Sequence, residues 1–173
     1  MVWVRREYEN EFAVLSAWLC TLLPWSVGYF GQGGVNVVEI RFPFLAIRYA
    51  FGVEFGTFVR TPVGMYTRAA EAGTSGAFGY AGAVVAGLVF LVVFLLSIAL
   101  YLREETTAAY LVDPPRVFGA LLVLSGLLFV GASYQLFANF PGVLIPVGVL
   151  FQLVLGGLLL RVSRRDTPAT AAG

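Results

Sequence analysis

Glu39, Arg41, Arg48 and Glu54 fall within a stretch otherwise rich in Val, Ile, Phe and Tyr. Carboxylates and guanidiniums at such intervals can pair across neighbouring strands. They can also present guanidinium forks to an anionic headgroup or a protein partner. Phe42, Phe44, Tyr49, Phe51, Phe55 and Phe58 surround them. Rings at that density need a surface to bury against, whether the protein's own body, lipid or another protein. Glu39, Arg41, Phe42, Phe44, Arg48, Tyr49 and Glu54 are therefore the candidate docking residues. The plainer reading is a set of surface ion pairs, each worth about 0–1 kcal/mol.

Catalytic chemistry has little to draw on. All eleven basic residues are Arg, and there is neither Lys nor His. Without His the chain lacks the usual proton shuttle at neutral pH and the commonest metal ligand. The single Cys20 cannot form an internal disulfide. As a nucleophile it would need a basic or cationic neighbour, which only an Arg of the long loop could supply. Gly31-Gln32-Gly33-Gly34 does not match the dinucleotide fingerprint. Neither a metal constellation nor a catalytic dyad is present in the sequence, so no enzyme activity and no cofactor are expected. Net charge is +1 with scattered basic residues, which gives no electrostatic footprint for nucleic acid.

The elements that must carry these residues follow from charge and hydropathy. The 173 residues are 59% hydrophobic and 12% charged, with mean hydropathy +0.85; a soluble domain is usually about 45–50% apolar and about 25% charged. Charged residues are absent from Phe12–Val38, Ala72–Leu102 and Val117–Leu160. Crossing a hydrocarbon core takes roughly 20 predominantly apolar helical residues, so these windows predict four crossings. They are placed at about 12–30, 77–102, 117–138 and 143–160. Pro24 is expected to kink the first, and Asn139-Phe140-Pro141-Gly142 to turn the chain between the third and fourth. The first apolar stretch exceeds the 7–15 residues of a signal-peptide core, so it reads as an uncleaved helix.

Between the first two crossings, about 31–75, an insertion is expected. Its Val35–Arg60 part reads as two or three short strands, with Asn36, Val38, Ile40, Phe42 and Phe44 on one face and Glu39 and Arg41 on the other. An interfacial helix is the competing reading. Thr61-Pro62 signals a short helix. Arg placement in the short flanks puts both termini in the cytoplasm and the insertion outside. Thr167–Gly173 reads as a disordered tail. The expected fold is thus an all-α membrane protein, a four-transmembrane-helix bundle with cytoplasmic termini and a partly β extracytoplasmic insertion between helices 1 and 2, in one domain of the cell membrane.

Small residues mark where the helices would meet. Gly148, Gln152 and Gly156 share one face at spacing four; Gly119, Gly126 and Ser133 form a stripe at spacing seven. Ala13, Ser16, Ala17, Cys20 and Thr21 repeat the theme in the first helix, and Gly79, Ala83 and Gly87 in the second. Small faces let helix backbones approach, and a buried amide can bond across the contact. The other readings are a self-association seam or, through Gln152 and Gln135, a polar point in a permeation path.

The opening Met1-Val2-Trp3-Val4-Arg5-Arg6-Glu7-Tyr8, Leu22-Leu23-Pro24-Trp25-Ser26, Arg41-Phe42-Pro43-Phe44, Ile47-Arg48-Tyr49-Ala50-Phe51-Gly52 and Phe140-Pro141-Gly142-Val143 together resemble small multi-pass membrane proteins of haloarchaea without assigned function. One such group has genes near archaeosortase, a membrane enzyme that processes surface proteins. The resemblance implies an archaeal cell membrane and a link to surface-protein processing, and it carries over no catalytic residues. The expected function is non-enzymatic: an accessory or structural membrane protein, docking a partner or envelope component through residues 35–72. The alternatives are a small transporter or channel subunit for a neutral or lipid-like substrate, and a membrane enzyme using Cys20. Expected partners are the bilayer, another membrane or surface protein, or a second copy.

Overall fold

The structure is a computed structural model that describes residues 8–32, 34–52, 56–103, 113–139 and 142–161. The first helix, α1 (Glu9–Leu22), does not continue through Pro24. A residue before proline is pushed out of the α region, and Leu23 accordingly stands at φ −84°, ψ 131°. The chain emerges extended and becomes β1 (Ser26–Gln32). Gly34, at φ 84°, supplies the left-handed turn that a Cβ would strain. The chain returns as β2 (Val35–Arg41), then β3 (Ala46–Phe51) and β4 (Thr57–Arg60).

Thr61 opens α2 (Pro62–Glu71) as its cap: the Gly64 amide donates to Thr61 Oγ1 at 3.1 Å, and Pro62 takes the first helical position. Loss of such a cap costs about 1 kcal/mol. Thr61→Ala is therefore expected to speed hydrogen exchange of the first α2 amides about fivefold; unchanged exchange there would show that the cap contributes nothing.

Two long helices follow, α3 (Ala77–Leu102) and α4 (Pro114–Asn139), then β5 (Val143–Ile145) and α5 (Val147–Leu160). Helices α3 and α4 run antiparallel. Ser125 Oγ donates to the Ala86 carbonyl at 3.2 Å, and a Cβ on Gly79 would meet Leu136 Cγ at 2.7 Å. Each has 26 residues, about 39 Å at about 1.5 Å per residue. They are the two described helices long and apolar enough to cross a membrane.

The all-α, four-transmembrane-helix expectation is thereby corrected. The described residues form five helices and a five-stranded antiparallel sheet in the order β4-β3-β2-β1-β5. Helices α1 and α5 have 14 residues each, about 21 Å, short of an about 30 Å hydrocarbon core. The remainder of the first expected crossing is β1, and the start of the fourth is β5. β5 lies wholly outside the 31–75 insertion and β1 begins outside it, so the sheet is not a local excursion between two helices. Proline sets both boundaries, Pro24 before β1 and Pro146 between β5 and α5. The expected tail at 167–173 lies outside the described residues.

Two apolar clusters hold the body together. One joins Ala13, Ala17 and Cys20 of α1 to Phe90 of α3, Phe118 of α4 and Leu159 of α5. The other centres on Trp25, stacked on Phe129 of α4 at 4.9 Å between ring centroids. The Gly148 amide donates to the Pro24 carbonyl at 2.9 Å, tying α5 to the bend where α1 becomes β1.

Candidate functional site

Strand register decides which charges meet. Glu39 on β2 lies opposite Arg48 on β3, while Arg41 lies opposite Ser26 on β1 and Ala46 on β3. Arg60 on β4 also pairs with Ala46. Directly opposed residues share a face, and so do residues two apart along a strand. Glu39, Arg41, Arg48 and Arg60 therefore stand on one face of the sheet. On β2 this is the buried face, carrying Val37, Glu39 and Arg41.

Glu39 Oε2 is the hub. It accepts from Arg48 Nη2 at 3.0 Å and lies 3.1 Å from Arg41 Nη2. Arg41 Nη1 donates to Ser26 Oγ at 3.3 Å. Glu39 and Arg41 are 0% and 1% exposed, so this is an interior ion cluster and not a solvated pair. Aromatic rings line it: the Arg41 guanidinium carbon is 6.0 Å from the Trp25 ring centroid and 5.9 Å from that of Tyr80. Cations are attracted to ring faces at such separations.

The basic character continues outward. Arg48 is half-buried, Arg60 lies beyond it on β4, and Arg68 comes from α2. Met65, Arg68, Ala69 and Ala72 recur at helical spacing, and with Tyr80 of α3 they line an open groove of about 240 Å³ beside the arginines. Loss of solvation, followed by the nearby Arg68 and Arg48 charges, lowers the Arg60 pKa from its ordinary value. Among the described residues neither Arg60 nor Arg68 has a carboxylate within ion-pair distance.

The seven docking candidates separate in space. Glu39, Arg41 and Arg48 come together in the cluster. Phe42 begins the β2–β3 turn, and Phe44 in that turn packs on Phe90 and Phe94 of α3, at 5.8 Å to each. Tyr49 stands on the opposite, outer face of the sheet and is 37% exposed. Glu54 lies outside the described residues. That outer face is apolar: Tyr29, Val38 and Tyr49 are in register across it, as are Val27, Ile40, Ile47 and Val59. Tyr29, Val59, Val143 and Ile145 are exposed there.

The packing residues are brought together in pairs. A Cβ on Gly119 would meet the Gly156 carbonyl oxygen at 2.8 Å, one on Gly126 would meet Gln152 Cβ at 3.4 Å, and one on Gly148 would meet Trp25 Cα at 3.0 Å. Ser133 and Gln152 are buried, and the side-chain oxygens of both lack a hydrogen-bond partner among the described residues. Cys20 is buried in the apolar cluster, an environment that disfavours a thiolate. No group of acidic, Cys or His residues among the described residues could hold a metal.

Sequence reasoning passed over Arg60, Arg68 and Tyr80 as site residues. The signal was the spacing of Arg68 with Met65 and Ala72, which sets it beside the buried Met65 and Ala69 at the exposed margin of α2.

The ion cluster thus lies on the buried face of β2, in a sheet carried by a helical body with two potential membrane spans. The chain belongs to a family of unknown function, DUF7549, whose model matches residues 2–164. No curated protein matches it.

Proposed function

We propose that this is a non-enzymatic accessory or structural protein of a cell membrane, anchored through α3 and α4, that docks a partner or envelope component through its sheet and α2. One observation carries the reading: the outer sheet face presents Tyr29, Tyr49, Val59, Val143 and Ile145 together, exposed and apolar. Contiguous exposed apolar patches mark protein or membrane contacts. Membrane anchoring is supported by the outward face of the long helices, since only 39% and 44% of their most apolar windows are buried within the protein. A soluble core helix of that composition would be largely covered. The finer placement, in a haloarchaeal membrane beside surface-protein processing, rests on the motif resemblance.

Deleting residues 35–72 would remove three of the five strands, so the test must leave the sheet whole. A photocrosslinking residue at Tyr49 or Val59, activated in native membranes, is expected to trap one discrete protein adduct that is absent when the same residue replaces Leu95 of α3. The same adducts from all three positions, or none from the sheet, would sink the docking reading. The alternative of a transporter or channel subunit for a neutral or lipid-like substrate is favoured by Gln152, whose side-chain oxygen is buried without a hydrogen-bond partner among the described residues. Against it stands the close approach of Gly126 to Gln152, where helix contact takes the place of a path.

A further inference from the structure

Arg48, Arg60 and Arg68 reach one groove from β3, β4 and α2, with Tyr80 and Thr74 on its wall. Among the described residues, three guanidiniums converging on one contacting carboxylate is an unbalanced arrangement. Glu39 is the carboxylate in contact, its Oε2 is already shared between Arg48 and Arg41, and Glu71 at the end of α2 is exposed. Like charges held together cost stability unless something answers them. Arg68 is exposed, but the other two are not splayed into water: Arg48 and Arg60 are half-buried, and the Arg60 guanidinium carbon lies 5.8 Å from the Phe58 ring centroid.

We propose that this groove is a binding site for a phosphate-type anion, gripped by Arg48, Arg60 and Arg68, with Tyr80 on its wall; the Thr74 hydroxyl is already donated to the Ala69 carbonyl at 3.0 Å. Planar guanidinium forks match phosphate oxygens two at a time. The volume of about 240 Å³ is below the roughly 300–1,000 Å³ of drug-sized ligand pockets, and it suits a phosphate group bearing a short polar chain. That description covers both the headgroup of an anionic phospholipid and a free phosphate ester. The inference deepens the docking reading by naming a ligand chemistry, but it uses the covered face of the sheet where docking uses the outer one. Failure of the crosslinking experiment therefore leaves it standing, and the converse holds too.

The test uses the full chain in neutral detergent, with unfolding followed by tryptophan fluorescence. The probes are inorganic phosphate, glycerol phosphate, and mixed micelles of phosphatidylglycerol or phosphatidylcholine, all against chloride at equal ionic strength. Phosphatidylglycerol or a soluble phosphate is expected to raise the wild-type unfolding temperature, with phosphatidylcholine and chloride inert. A response confined to phosphatidylglycerol identifies the bilayer as the source; a response to the soluble probes identifies a free ester. Removing a guanidinium is expected to weaken binding about tenfold, so Arg60→Gln/Arg68→Gln loses the response while Arg103→Gln, at the far end of α3, keeps it. Without ligand the double variant is expected to unfold at or above the wild-type temperature, because like charges have been removed. Should the double variant not fold, Arg68→Gln alone, on the exposed side of α2, carries the comparison. No response in the wild type, an equal response in the variants, or a folded ligand-free variant that melts lower would overturn the proposal.

Discussion

Glu39→Gln is expected to destabilise the protein by about 3–5 kcal/mol, the usual cost of breaking a buried ion pair by removing one partner. The substitution keeps the side-chain shape and removes only the charge. Arg41 would then lie beneath the sheet with the Trp25 and Tyr80 ring centroids about 6 Å away and without its carboxylate at 3.1 Å. Arg48 would lose the same oxygen, although its partial exposure lets water compensate. Replacing Glu39 and Arg41 together by Leu is expected to be far milder, because buried ion pairs exchanged for apolar side chains are often neutral or better. Chemical unfolding in detergent measures both. A Glu39→Gln cost under about 1 kcal/mol would mean that the cluster behaves as a surface pair and that the burial argument is wrong.

Gly119→Ala is the second large effect. The added methyl group would meet the Gly156 carbonyl oxygen at 2.8 Å and the Leu160 amide nitrogen at 2.9 Å. Both neighbours are backbone, so α5 itself must move. Overpacking of this kind costs about 1–3 kcal/mol. Gly131→Ala on the same helix is the matched control. A Cβ there meets nothing within 4 Å, and Ala is favoured over Gly in a helix by about 1 kcal/mol, so this variant is expected to be the more stable. Denaturant titration of the two variants should give shifts of opposite sign. Shifts of the same sign would mean that α4 and α5 do not cross as closely as described.

Much of the helical part could be read directly. The long uncharged window at Ala77–Leu102 has neither proline nor a turn cluster, so it had one reading. The same held for the start of α2, where Thr61 and Pro62 identify themselves chemically. The small-residue spacings marked Gly119 and Gly156 as places where a backbone could approach, because approach needs a missing side chain, but not that these two meet. The strands outside the insertion were another matter. Ser26–Gln32 and Val143–Ile145 are short and apolar on the outward face, and a short apolar run does not tell a strand from a continuing helix. The deciding residues were Pro24 and Pro146, and a proline in an apolar run fits a kinked crossing as readily as a helix end. The candidate site was legible in composition and not in depth. Alternation assigned Glu39 and Arg41 to one face, but only β2 lying between β1 and β3, above Trp25 and Tyr80, turned that face inward. Arg60 and Arg68 joined it through pairing and packing that a single sequence does not display.

The order of the strands has a consequence for how the chain is made. Strand β1 comes from the first fifth of the sequence and its outer neighbour β5 from the last fifth. While the polypeptide emerges, β1 can pair with β2 at once through a short hairpin, whereas its other edge must wait until α3 and α4 have been synthesised. Pairings across such separations form slowly, because chain closure must precede the contacts that reward it. During that interval the nascent protein carries an open strand edge, the feature most prone to recruit another chain. A three-residue strand translated after both long helices is therefore what covers this edge of β1.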